Sequence, residues 1–373
     1  MSPTPSTSPA LDLARQRAVS TGVSGGRLGG VQDVVRHLLA VQGQEFGAAC
    51  WAVAQRCDQS PTRADLRQLC DDGVLLRTHL LRPTWHLVLP EDIGWLLDLT
   101  GPRVLASMTS VYRKAGLDAA TLDRATDLIA SAISDRGGTL SKKDLDTALL
   151  TGGVELGGLR PTFFLLFAEL TGVICSGLRM GKVHGYALFA ERAPQARRLS
   201  REDAVTELVR RYFTSHGPAT IHDLRWWSSL TIADIRTGIE GAGDALVALD
   251  HDGRTFYAAA ERFRAVPDAD RAIRMLPVYD EYVVAYTGSR WLLPPAVPTR
   301  SDGFDPGLAS NAVVRDASVI GEWRTVERAG MVVVEITMAD PPSGSLTGAL
   351  HSAAADYGRF VEKDVVVRIG SQP

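Results

Sequence analysis

The sequence predicts an α+β protein that is mainly helical, and three observations lead to this fold class. First, segments with apolar residues at helical spacing dominate residues 17–265. Second, an order of three helices followed by two short strands occurs three times in succession. Third, the residues after about 265 contain mostly strand-like runs. At roughly 100–200 residues per domain, a chain of 373 residues is long enough for two or three packing units with buried cores.

The first repeat combines three predicted helices with two predicted strands. Thr62 is the expected N-cap of the third helix, because a threonine oxygen can accept hydrogen bonds from the free amides of the first turn. Pro83 is expected in the turn between the strands, since proline has no N–H to donate to a strand ladder. The predicted elements are Gln32–Ala40, Phe46–Arg56, Arg63–Cys70, Val74–Leu81 and Thr84–Leu89.

The second and third repeats contain the same order of elements. In the second, Ser141 and Asp144 have the spacing of a capping box, and a turn at residues 179–182 separates the strands. In the third, Asp252-Gly253 is a strong hairpin signal. The predicted elements of the second repeat are Leu122–Ser134, Ser141–Leu149, Pro161–Leu170, Gly172–Leu178 and His184–Phe189. Those of the third are Glu202–Ser215, Ile221–Trp227, Thr231–Glu240, Ala245–Leu249 and Thr255–Ala259.

Three helices followed by a β-hairpin is the order of a winged helix, which is a helix-turn-helix with a hairpin wing. One occurrence would be weak evidence, because this order arises easily by chance. Three occurrences in succession predict three tandem winged-helix modules. The corresponding division of the chain is a disordered N-terminus at 1–16 and winged helices at 17–115, 116–200 and 201–265.

The rest of the chain, residues 266–373, is predicted to form a β-rich C-terminal subdomain. Pro267–Asp270 is expected to be a linker at its start, and Leu346–Lys363 is expected to be a final helix. Four predicted strands lie between them, at Val278–Ala285, Ala312–Val314, Val319–Trp323 and Met331–Thr337.

The composition excludes several classes of protein. The chain is 45% apolar and 22% charged, which is near the globular average and excludes wholesale disorder and fibrous repeats. It has no apolar run of about 18 residues that could span a bilayer, and its start lacks the basic and apolar regions of a signal peptide. We therefore expect a cytoplasmic protein with four reduced, buried cysteines: Cys50, Cys57, Cys70 and Cys175.

Gln42-Gly43-Gln44 interrupts the helical pattern after Val41. In a helix, residues i and i+2 do not share a face, whereas in an extended segment they lie on the same side. Since Gly43 breaks the helix, both amides can converge on one point, where they can hold a water molecule but cannot take its proton. The alternative is a polar helix junction whose amides satisfy backbone groups.

Basic and polar residues cluster in the first predicted hairpin. Strand spacing places Arg77 with His79, and Thr84 with His86, on common faces, and Arg82 lies at the turn. Such a donor-rich hairpin suits contact with a nucleic-acid backbone or insertion into a groove. The alternative is cross-strand polar pairing on a solvated face. The hairpin has neither His-x-x-x-His spacing nor an acidic partner, so no metal site is predicted.

Residues 176–215 are locally basic within a protein of net charge −3. They include eight Lys and Arg residues against four Asp and Glu residues, a surplus of four positive charges. We expect a surface there that follows DNA phosphates, with Arg179, Lys182, Arg197 and Arg198 as candidate contacts. The alternative is an ordinary solvated helix face.

Two further pairs are interpreted as structural. Asp280 and Glu281 are adjacent carboxylates that point to opposite sides of a strand, so they do not form a general acid/base pair. Trp226 and Trp227 lie within helical spacing and are expected in the core. The sequence contains no dinucleotide fingerprint, Walker loop, nucleophile elbow or zinc-deaminase signature, and no cofactor is expected.

Five stretches of the sequence occur in an informative order: Gln42-Gly43-Gln44, Arg77–Asp92, Gly217–Thr231, Leu276–Tyr286 and Val319–Arg324. Together they resemble the winged-helix DNA glycosylases of the AlkZ and YcaQ family, over roughly residues 10 to 365. The Gln-x-Gln form is most similar to the family members that unhook azinomycin crosslinks for self-resistance. The middle residue of the family motif is usually apolar, and here it is Gly43.

The resemblance implies three tandem winged helices in a C-shaped arrangement and a monofunctional DNA glycosylase that acts on N7-alkylated purines. Gln42 and Gln44 match the catalytic pair of the family and would position the attacking water. Such a purine already carries positive charge and leaves readily, so neutral amides suffice. The implied partner is double-stranded DNA with N7-alkylpurine lesions or interstrand crosslinks. We expect a monomer that is associated with the nucleoid and has no membrane partner.

A bulky or crosslinked base is difficult to extrude into a narrow pocket, so we expect a wide cleft that binds the lesion within the duplex. The alternative function is a winged-helix transcription regulator, which binds DNA without releasing a base. A regulator requires neither the Gln pair nor the long C-terminal region.

Overall fold

The computed structural model describes residues 9–181, 183–261, 272–293 and 311–371. It contains both helices and strands, with helices predominating, which confirms the predicted α+β class. The described residues form two compact units. Unit 1 comprises residues 9–66, 206–226, 232–261, 272–293 and 311–371, and unit 2 comprises residues 67–181, 183–205 and 227–231. The five-part division of the chain stays a prediction.

The α-helices of the described residues are α1 (Pro9–Ser20), α2 (Val31–Leu38), α3 (Phe46–Ala54), α4 (Arg63–Asp71), α5 (Pro90–Lys114), α6 (Ala119–Arg136), α7 (Lys142–Thr151), α8 (Arg160–Leu170), α9 (Phe189–Arg192), α10 (Arg201–His216), α11 (Ile221–Ser228), α12 (Ile232–Ala242), α13 (Glu281–Val284) and α14 (Gly344–Val361). Short 3₁₀ turns lie at Gly243–Ala245 and Arg290–Leu292. Within these residues, no helix has both the length and the apolar composition needed to cross a bilayer.

The strands are β1 (Val41–Gln42), β2 (Leu76–Leu80), β3 (Thr84–Val88), β4 (Ile174–Met180), β5 (Val183–Leu188), β6 (Leu246–His251), β7 (Arg254–Ala259), β8 (Arg274–Leu276), β9 (Ala312–Arg315), β10 (Ser318–Glu327), β11 (Met331–Met338) and β12 (Asp364–Ser371). The pairs β2–β3, β4–β5 and β6–β7 are the three hairpins that the sequence predicts.

Unit 1 contains a five-stranded sheet in the order β12-β11-β10-β9-β8. Neighbours from β8 to β11 are antiparallel, whereas β12 runs parallel to β11. A parallel pair requires a crossover connection, and α14 provides it. Trp323 on β10 donates its indole N–H to the carbonyl of Leu276, with an N···O distance of 2.8 Å. This bond fixes an aromatic ring in the core beside the sheet.

Unit 2 is built around a core that α6, α7 and α8 share with the β4–β5 hairpin. Ile129, Leu145, Phe164 and Ile174 are fully buried in this core. At the start of α7, Ser141 and Asp144 form the predicted capping box, in which each side chain accepts from the backbone amide of the other. Local capping signals were therefore predicted correctly here.

Two local predictions in unit 1 are also confirmed. The hydroxyl of Thr62 accepts from the amide of Asp65, so Thr62 caps α4 as expected. The β6–β7 turn has positive φ at both central residues, +51° at Asp252 and +70° at Gly253. This is the type I′ geometry that Asp-Gly favours, because its twist matches that of the two strands.

The predicted disordered N-terminus at 1–16 is wrong for residues 9–16, which belong to α1. Ala14 and Ala18 on this helix are buried in one cluster with Tyr282 and Val314. The burial that stabilises α1 comes from residues remote in sequence, so composition alone could not reveal it. Residues 1–8 and the predicted linker Pro267–Asp270 lie outside the described residues.

The predicted strand Val278–Ala285 is also wrong. β8 ends at Leu276, and the short helix α13 begins at Glu281. Asp280 caps this helix, because its carboxylate accepts from the amide of Tyr282 at 3.0 Å. Short apolar runs fit a strand and a buried helix equally well, and the cap decided between them.

Besides α13, six helices and strands were not predicted: α1, β1, α5, α9, β8 and β12. For α5, Gly94, Gly101 and Pro102 break the apolar pattern. A Cβ atom on Gly94 would lie 2.8 Å from the carbonyl oxygen of Arg197, and one on Gly101 would lie 2.6 Å from that of Leu170. Both glycines therefore allow a close approach between backbones. In the sequence, however, glycines within an apolar pattern indicate a helix break, so α5 was not predicted.

Candidate active site

The Gln42-Gly43-Gln44 segment joins β1 to α3 in unit 1. Gln42 ends the strand, and Gln44 lies in the bend before the helix. The segment is therefore not helical, as the sequence predicts. Gln42 is 6% exposed, Gly43 is buried and Gln44 is half-buried. One amide is thus held inside the protein and the other is partly accessible.

The backbone of Gln42 is fixed by a carboxylate from α13. Its N–H donates to Oε1 of Glu281, with an N···O distance of 2.7 Å. Glu281 is 1% exposed. A hydrogen bond to an ionised acceptor is roughly twice as strong as one between neutral groups, and the buried setting strengthens it further. Glu281 therefore fixes the backbone position from which the Gln42 side chain extends.

The second oxygen of Glu281 faces His216, the last residue of α10. Nε2 of His216 lies 3.3 Å from Oε2 of Glu281, and Nδ1 lies 2.8 Å from the hydroxyl of Ser215. The imidazole stacks on Tyr212 with a centroid distance of 4.8 Å, and its residue carbonyl accepts from the hydroxyl of Tyr286. An ionised carboxylate can only accept, so a proton on Nε2 satisfies both groups.

The carboxylate of Asp280, the residue before Glu281, accepts hydrogen bonds from a different partner. Its carboxylate receives two hydrogen bonds from the guanidinium of Arg56, at 2.7 and 2.9 Å. Both side chains are almost fully buried. Burial by itself lowers the pKa of Arg56, but the charge and hydrogen bonds of Asp280, together with the charge of Glu281, outweigh it and the pKa is raised. The two adjacent carboxylates therefore anchor two different elements and do not form an acid/base pair.

Sequence reasoning did not connect Glu281 or His216 with the Gln pair. Glu281 lies 239 positions from Gln42, and no local spacing signals such a contact. The available signals were the Asp-Glu pair within the stretch Leu276–Tyr286 and the position of His216 directly before Gly217–Thr231. Only tertiary contacts join the two motifs.

The first hairpin is less exposed than the sequence predicts. Arg77 is 7% exposed, Arg82 is 8% exposed and His86 is fully buried, whereas Thr84 is half-buried. The alternative of polar pairing on a solvated face is therefore wrong for Arg77, Arg82 and His86, and their contact with DNA stays a prediction. His79 is also buried, and it pairs with the carboxylate of Glu169.

The guanidinium of Arg77 is engaged within unit 2. It lies over the ring of Trp85 at 4.3 Å and contacts His184 at 2.9 Å, while its backbone amide donates to Ser176. Burial, together with the charges of Arg77 and His79, lowers the pKa of His184 to about 3. Arg77 and its neighbours therefore form a buried network within unit 2.

The basic segment 176–215 receives acidic partners from elsewhere in unit 2. Arg179 pairs with Asp71 at 3.4 Å, Arg197 lies 3.9 Å from Asp92, and Arg198 pairs with Asp98 at 2.5 Å. Counting charges along the sequence misses these carboxylates, so the surplus of positive charge is smaller than predicted. The side chains of Arg197 and Arg198 are still about half exposed, at 46% and 56%. Lys182 lies outside the described residues.

Two further predictions concern the cysteines and the tryptophan pair. All four cysteines are free and buried, as predicted. Burial raises the pKa of Cys57, Cys70 and Cys175 to about 12. Trp227 is fully buried, but Trp226 is 41% exposed, so its predicted place in the core is wrong. Its indole N–H instead donates to the carbonyl of Val284.

The part of the chain that the structure describes contains no group of three or more His, Cys, Asp and Glu side chains able to hold a metal ion. The polar groups around Gln42 are instead a carboxylate, an imidazole and a hydroxyl that bond to each other. This arrangement can hold a backbone segment and orient an amide side chain.

Comparison with known proteins identifies the family. Residues 35–360 match the family described as DNA glycosylase AlkZ-like. The interstrand DNA cross-link repair glycosylase of Streptomyces sahachiroi is 27% identical over 315 residues, which covers 79% of this chain and 82% of that protein. The solved structure of the Streptomyces sahachiroi DNA glycosylase AlkZ matches with a TM-score of 0.74 at 24% identity, over 97% of this chain and 99% of that one. The chain therefore belongs to the AlkZ-like family of DNA glycosylases.

Proposed function

We propose that this protein hydrolyses the N-glycosidic bond of N7-alkylated purines in double-stranded DNA and thereby unhooks interstrand crosslinks such as those of azinomycin. Membership of a DNA glycosylase family supports the reaction type. The name of the Streptomyces sahachiroi relative supports interstrand crosslinks as the lesion. The proposed enzyme is monofunctional: water is the nucleophile, and the DNA strand is left intact with an abasic sugar.

In this proposal Gln42 and Gln44 hold the attacking water and orient it toward the anomeric carbon of the deoxyribose. An amide side chain can both donate and accept a hydrogen bond, but it does not take a proton at neutral pH. The N7-alkylated purine leaves with its positive charge neutralised, so departure of the base does not need a strong acid. The water therefore needs positioning more than deprotonation, and two preorganised amides suit that role.

The observation that carries the proposal is the bond from the amide of Gln42 to the buried carboxylate of Glu281. A side chain that positions water must sit on a backbone that does not move. Glu281 provides this by holding the strand end, and His216 holds the second carboxylate oxygen. We assign Glu281 and His216 as positioning residues, because they act through the backbone of Gln42.

For DNA binding we propose three tandem winged-helix modules, with phosphate contacts from Arg179, Arg197 and Arg198. Arg197 and Arg198 are the most accessible of these cations, and exposed arginines suit bidentate phosphate contacts. Lys182 and Thr84 stay in the proposed contact set, whereas the burial of Arg77, Arg82 and His86 argues against direct contacts from them. The proposed enzyme is a monomer that works in the cytoplasm at the nucleoid.

Release of free base tests the reaction. The protein is incubated with a duplex that contains a single N7-methylguanine, and the free base is quantified under single-turnover conditions. A second substrate carries an interstrand crosslink, and its two strands are resolved on a denaturing gel. The proposal predicts free N7-methylguanine from the first duplex and separated strands from the second.

The same experiment tests the alternative, a winged-helix transcription regulator. A regulator binds the duplex and leaves both the base and the crosslink in place. Tight binding without base release would therefore reject the glycosylase proposal. The family match favours the enzyme.

A further inference from the structure

A half-exposed tryptophan of unit 1 is bonded to the helix that carries Glu281. Trp226 on α11 is 41% exposed, and its indole N–H donates to the carbonyl oxygen of Val284 at 3.1 Å. Val284 is the last residue of α13, and Glu281, the first, holds the backbone of Gln42. The two ends of α13 are roughly 5 Å apart along its axis, since a helix rises about 1.5 Å per residue. One short helix therefore positions both the ring of Trp226 and the backbone of Gln42.

The exposed part of Trp226 is mainly its ring. The residue lies within α11, where backbone groups bond within the helix and are largely covered. The next residue, Trp227, is fully buried, so the helix directs one tryptophan to the core and the other to the surface. The bond to Val284 fixes the N–H edge of the exposed ring. A ring held in this way loses little conformational freedom when it contacts a ligand.

Trp226 shares an exposed face of α11 with two basic residues. His222, Arg225 and Trp226 occupy positions i, i+3 and i+4, which lie on one side of a helix, and all three are exposed. A guanidinium such as that of Arg225 suits contact with a DNA phosphate. This face therefore combines a group for the DNA backbone with an aromatic ring.

The proposed reaction places positive charge on the deoxyribose. When the bond between C1′ and the purine nitrogen breaks, its electron pair moves to the purine and neutralises it, and the sugar becomes an oxocarbenium-like cation. Water then adds its oxygen at C1′, and its proton passes to the solvent. The rate of the reaction therefore depends on groups that stabilise a cation at the sugar.

The carboxylates of α13 are not available for this role. Asp280 and Glu281 are each 1% exposed. Asp280 is bonded to Arg56, and Glu281 is bonded to the backbone amide of Gln42. The side-chain amide of Gln42 is neutral. The face of a tryptophan ring attracts a cation without carrying a charge itself, and it does so more strongly than the other aromatic rings.

We propose that Trp226 stacks on the deoxyribose of the lesion and stabilises its positive charge in the transition state by a cation–π interaction. The sugar lies on the outside of the duplex, so this contact does not require the base to be extruded. It therefore agrees with the expectation that the lesion is bound within the duplex. The inference rests on the proposed function, because it assigns one more residue to the same reaction.

The test uses two duplexes that cannot be hydrolysed and that differ in the charge of one sugar. The first contains a pyrrolidine with its nitrogen at the anomeric position, which is protonated at neutral pH and imitates the sugar cation. The second contains a tetrahydrofuran, which has a similar shape and is neutral. Fluorescence anisotropy gives the dissociation constants of the full-length protein for both. The wild type is expected to bind the pyrrolidine duplex more tightly.

Trp226→Leu should reduce this preference by about two- to thirtyfold, the range of cation–π interactions from exposed to desolvated sites. It should leave the affinity for the tetrahydrofuran duplex within a few-fold of the wild type. The matched control is Trp291→Leu, because Trp291 is another half-exposed tryptophan of unit 1, at 39%. This control should keep the preference of the wild type. An equal loss of affinity for both duplexes in Trp226→Leu would overturn the proposal.

Trp226→Phe separates the ring from its hydrogen bond. Phenylalanine keeps an aromatic face but, like leucine, cannot donate to Val284. The proposal predicts that Trp226→Phe retains more of the preference, and a faster single-turnover release of N7-methylguanine, than Trp226→Leu. Equal losses in the two variants would show that Trp226 acts only by holding α13, and would overturn the contact with the sugar.

Base release by the wild type distinguishes failure of this inference from failure of the proposed function. A wild type that releases N7-methylguanine but binds both duplexes equally would overturn the role of Trp226 alone. A wild type that releases no base would reject the proposed function, and the role of Trp226 with it.

Discussion

The carboxylate of Glu281 and the backbone amide of Gln42 are joined by a hydrogen bond of 2.7 Å, although the two residues lie 239 positions apart. The bond involves the main chain of Gln42 and leaves its side chain out. Substitution of the Gln42 side chain therefore tests the amide without removing this contact. Substitution of Glu281 tests the contact without removing the amide.

Gln42→Ala and Gln44→Ala should each slow base release while leaving DNA affinity within a few-fold of the wild type. Removal of one preorganised polar group of this kind costs about 2.7–4 kcal/mol, or roughly 10²–10³ in rate. Single-turnover release of N7-methylguanine measures the rate, and a binding titration with the same duplex measures affinity. Gln32→Ala on α2 is the matched control, because Gln32 is an exposed glutamine. Wild-type rates in both variants would reject the site.

Glu281→Ala should slow base release more than Glu281→Gln does. The alanine leaves the amide of Gln42 without its carboxylate acceptor, whereas glutamine retains an oxygen that can accept. The lost hydrogen bond has a charged acceptor, so we expect a cost of about 1.5–3 kcal/mol. If this free energy is lost from the positioning of Gln42, the rate of base release falls by roughly ten- to a hundredfold. The readouts are the single-turnover rate and the DNA dissociation constant, with exposed Glu240→Gln on α12 as control. Equal losses in the two variants, or a loss in affinity alone, would contradict a positioning role.

Asp280→Asn should strongly destabilise the protein through Arg56. Both side chains are buried, and removal of one partner leaves a buried charge without compensation, at a cost of about 3–5 kcal/mol. Urea unfolding followed by circular dichroism measures the change. The control is Arg324→Ala, which removes an exposed pair with Glu335 and should change stability by about 1 kcal/mol or less. Similar effects of the two substitutions would show that the buried pair contributes little.

Arg197→Ala and Arg198→Ala should flatten the salt dependence of DNA binding. Each lost phosphate contact reduces the slope of log K against log salt by about one unit. Dissociation constants measured over a series of salt concentrations give the slope, with Arg368→Ala as the control. Because Asp92 and Asp98 already lie near the two arginines, loss of the acidic partner in Asp98→Asn should increase affinity. Unchanged slopes would place the DNA-binding surface elsewhere.

Glu327→Gln should destabilise the protein at neutral pH but have less effect in acid. Glu327 accepts hydrogen bonds from Arg63 at 2.6 Å and Lys363 at 2.8 Å, and Arg63 is the main cause of its lowered pKa, about 2. The pKa is lower in the folded protein than in the unfolded chain, so its contribution is complete above about pH 4.5 and declines toward pH 2. Urea unfolding of wild type and variant at about pH 7 and pH 3.5 should give a smaller difference at the lower pH. A difference independent of pH would contradict the assignment.

The elements that were predicted correctly depend on interactions between residues that are close in sequence. The capping box of Ser141 and the Asp252-Gly253 turn depend on residues no more than three positions apart. The three hairpins also follow from short strand-like runs with turn residues between them. In each case the physical cause lies within a few residues, so a single sequence is sufficient to predict it.

The elements that were wrong or missing depend on remote partners. α1 folds because Ala14 and Ala18 are buried beside Tyr282 and Val314. α13 replaces a predicted strand, because Asp280 caps the helix and bonds Arg56. The surplus of positive charge in residues 176–215 is reduced by Asp71, Asp92 and Asp98, which that count did not include.

The α+β class, the family and the break in the helix at Gln42-Gly43-Gln44 follow from the amino-acid sequence, because composition, motif order and a glycine between two glutamines do not depend on how the chain folds. The groups that surround that segment are set by long-range folding contacts. Glu281 and His216 reach Gln42 through contacts between α10, α13 and β1, and the burial of Arg77 and His86 follows from packing in the folded chain. Burial and long-range hydrogen bonds depend on the whole folded chain, so no spacing rule within one segment could have specified them.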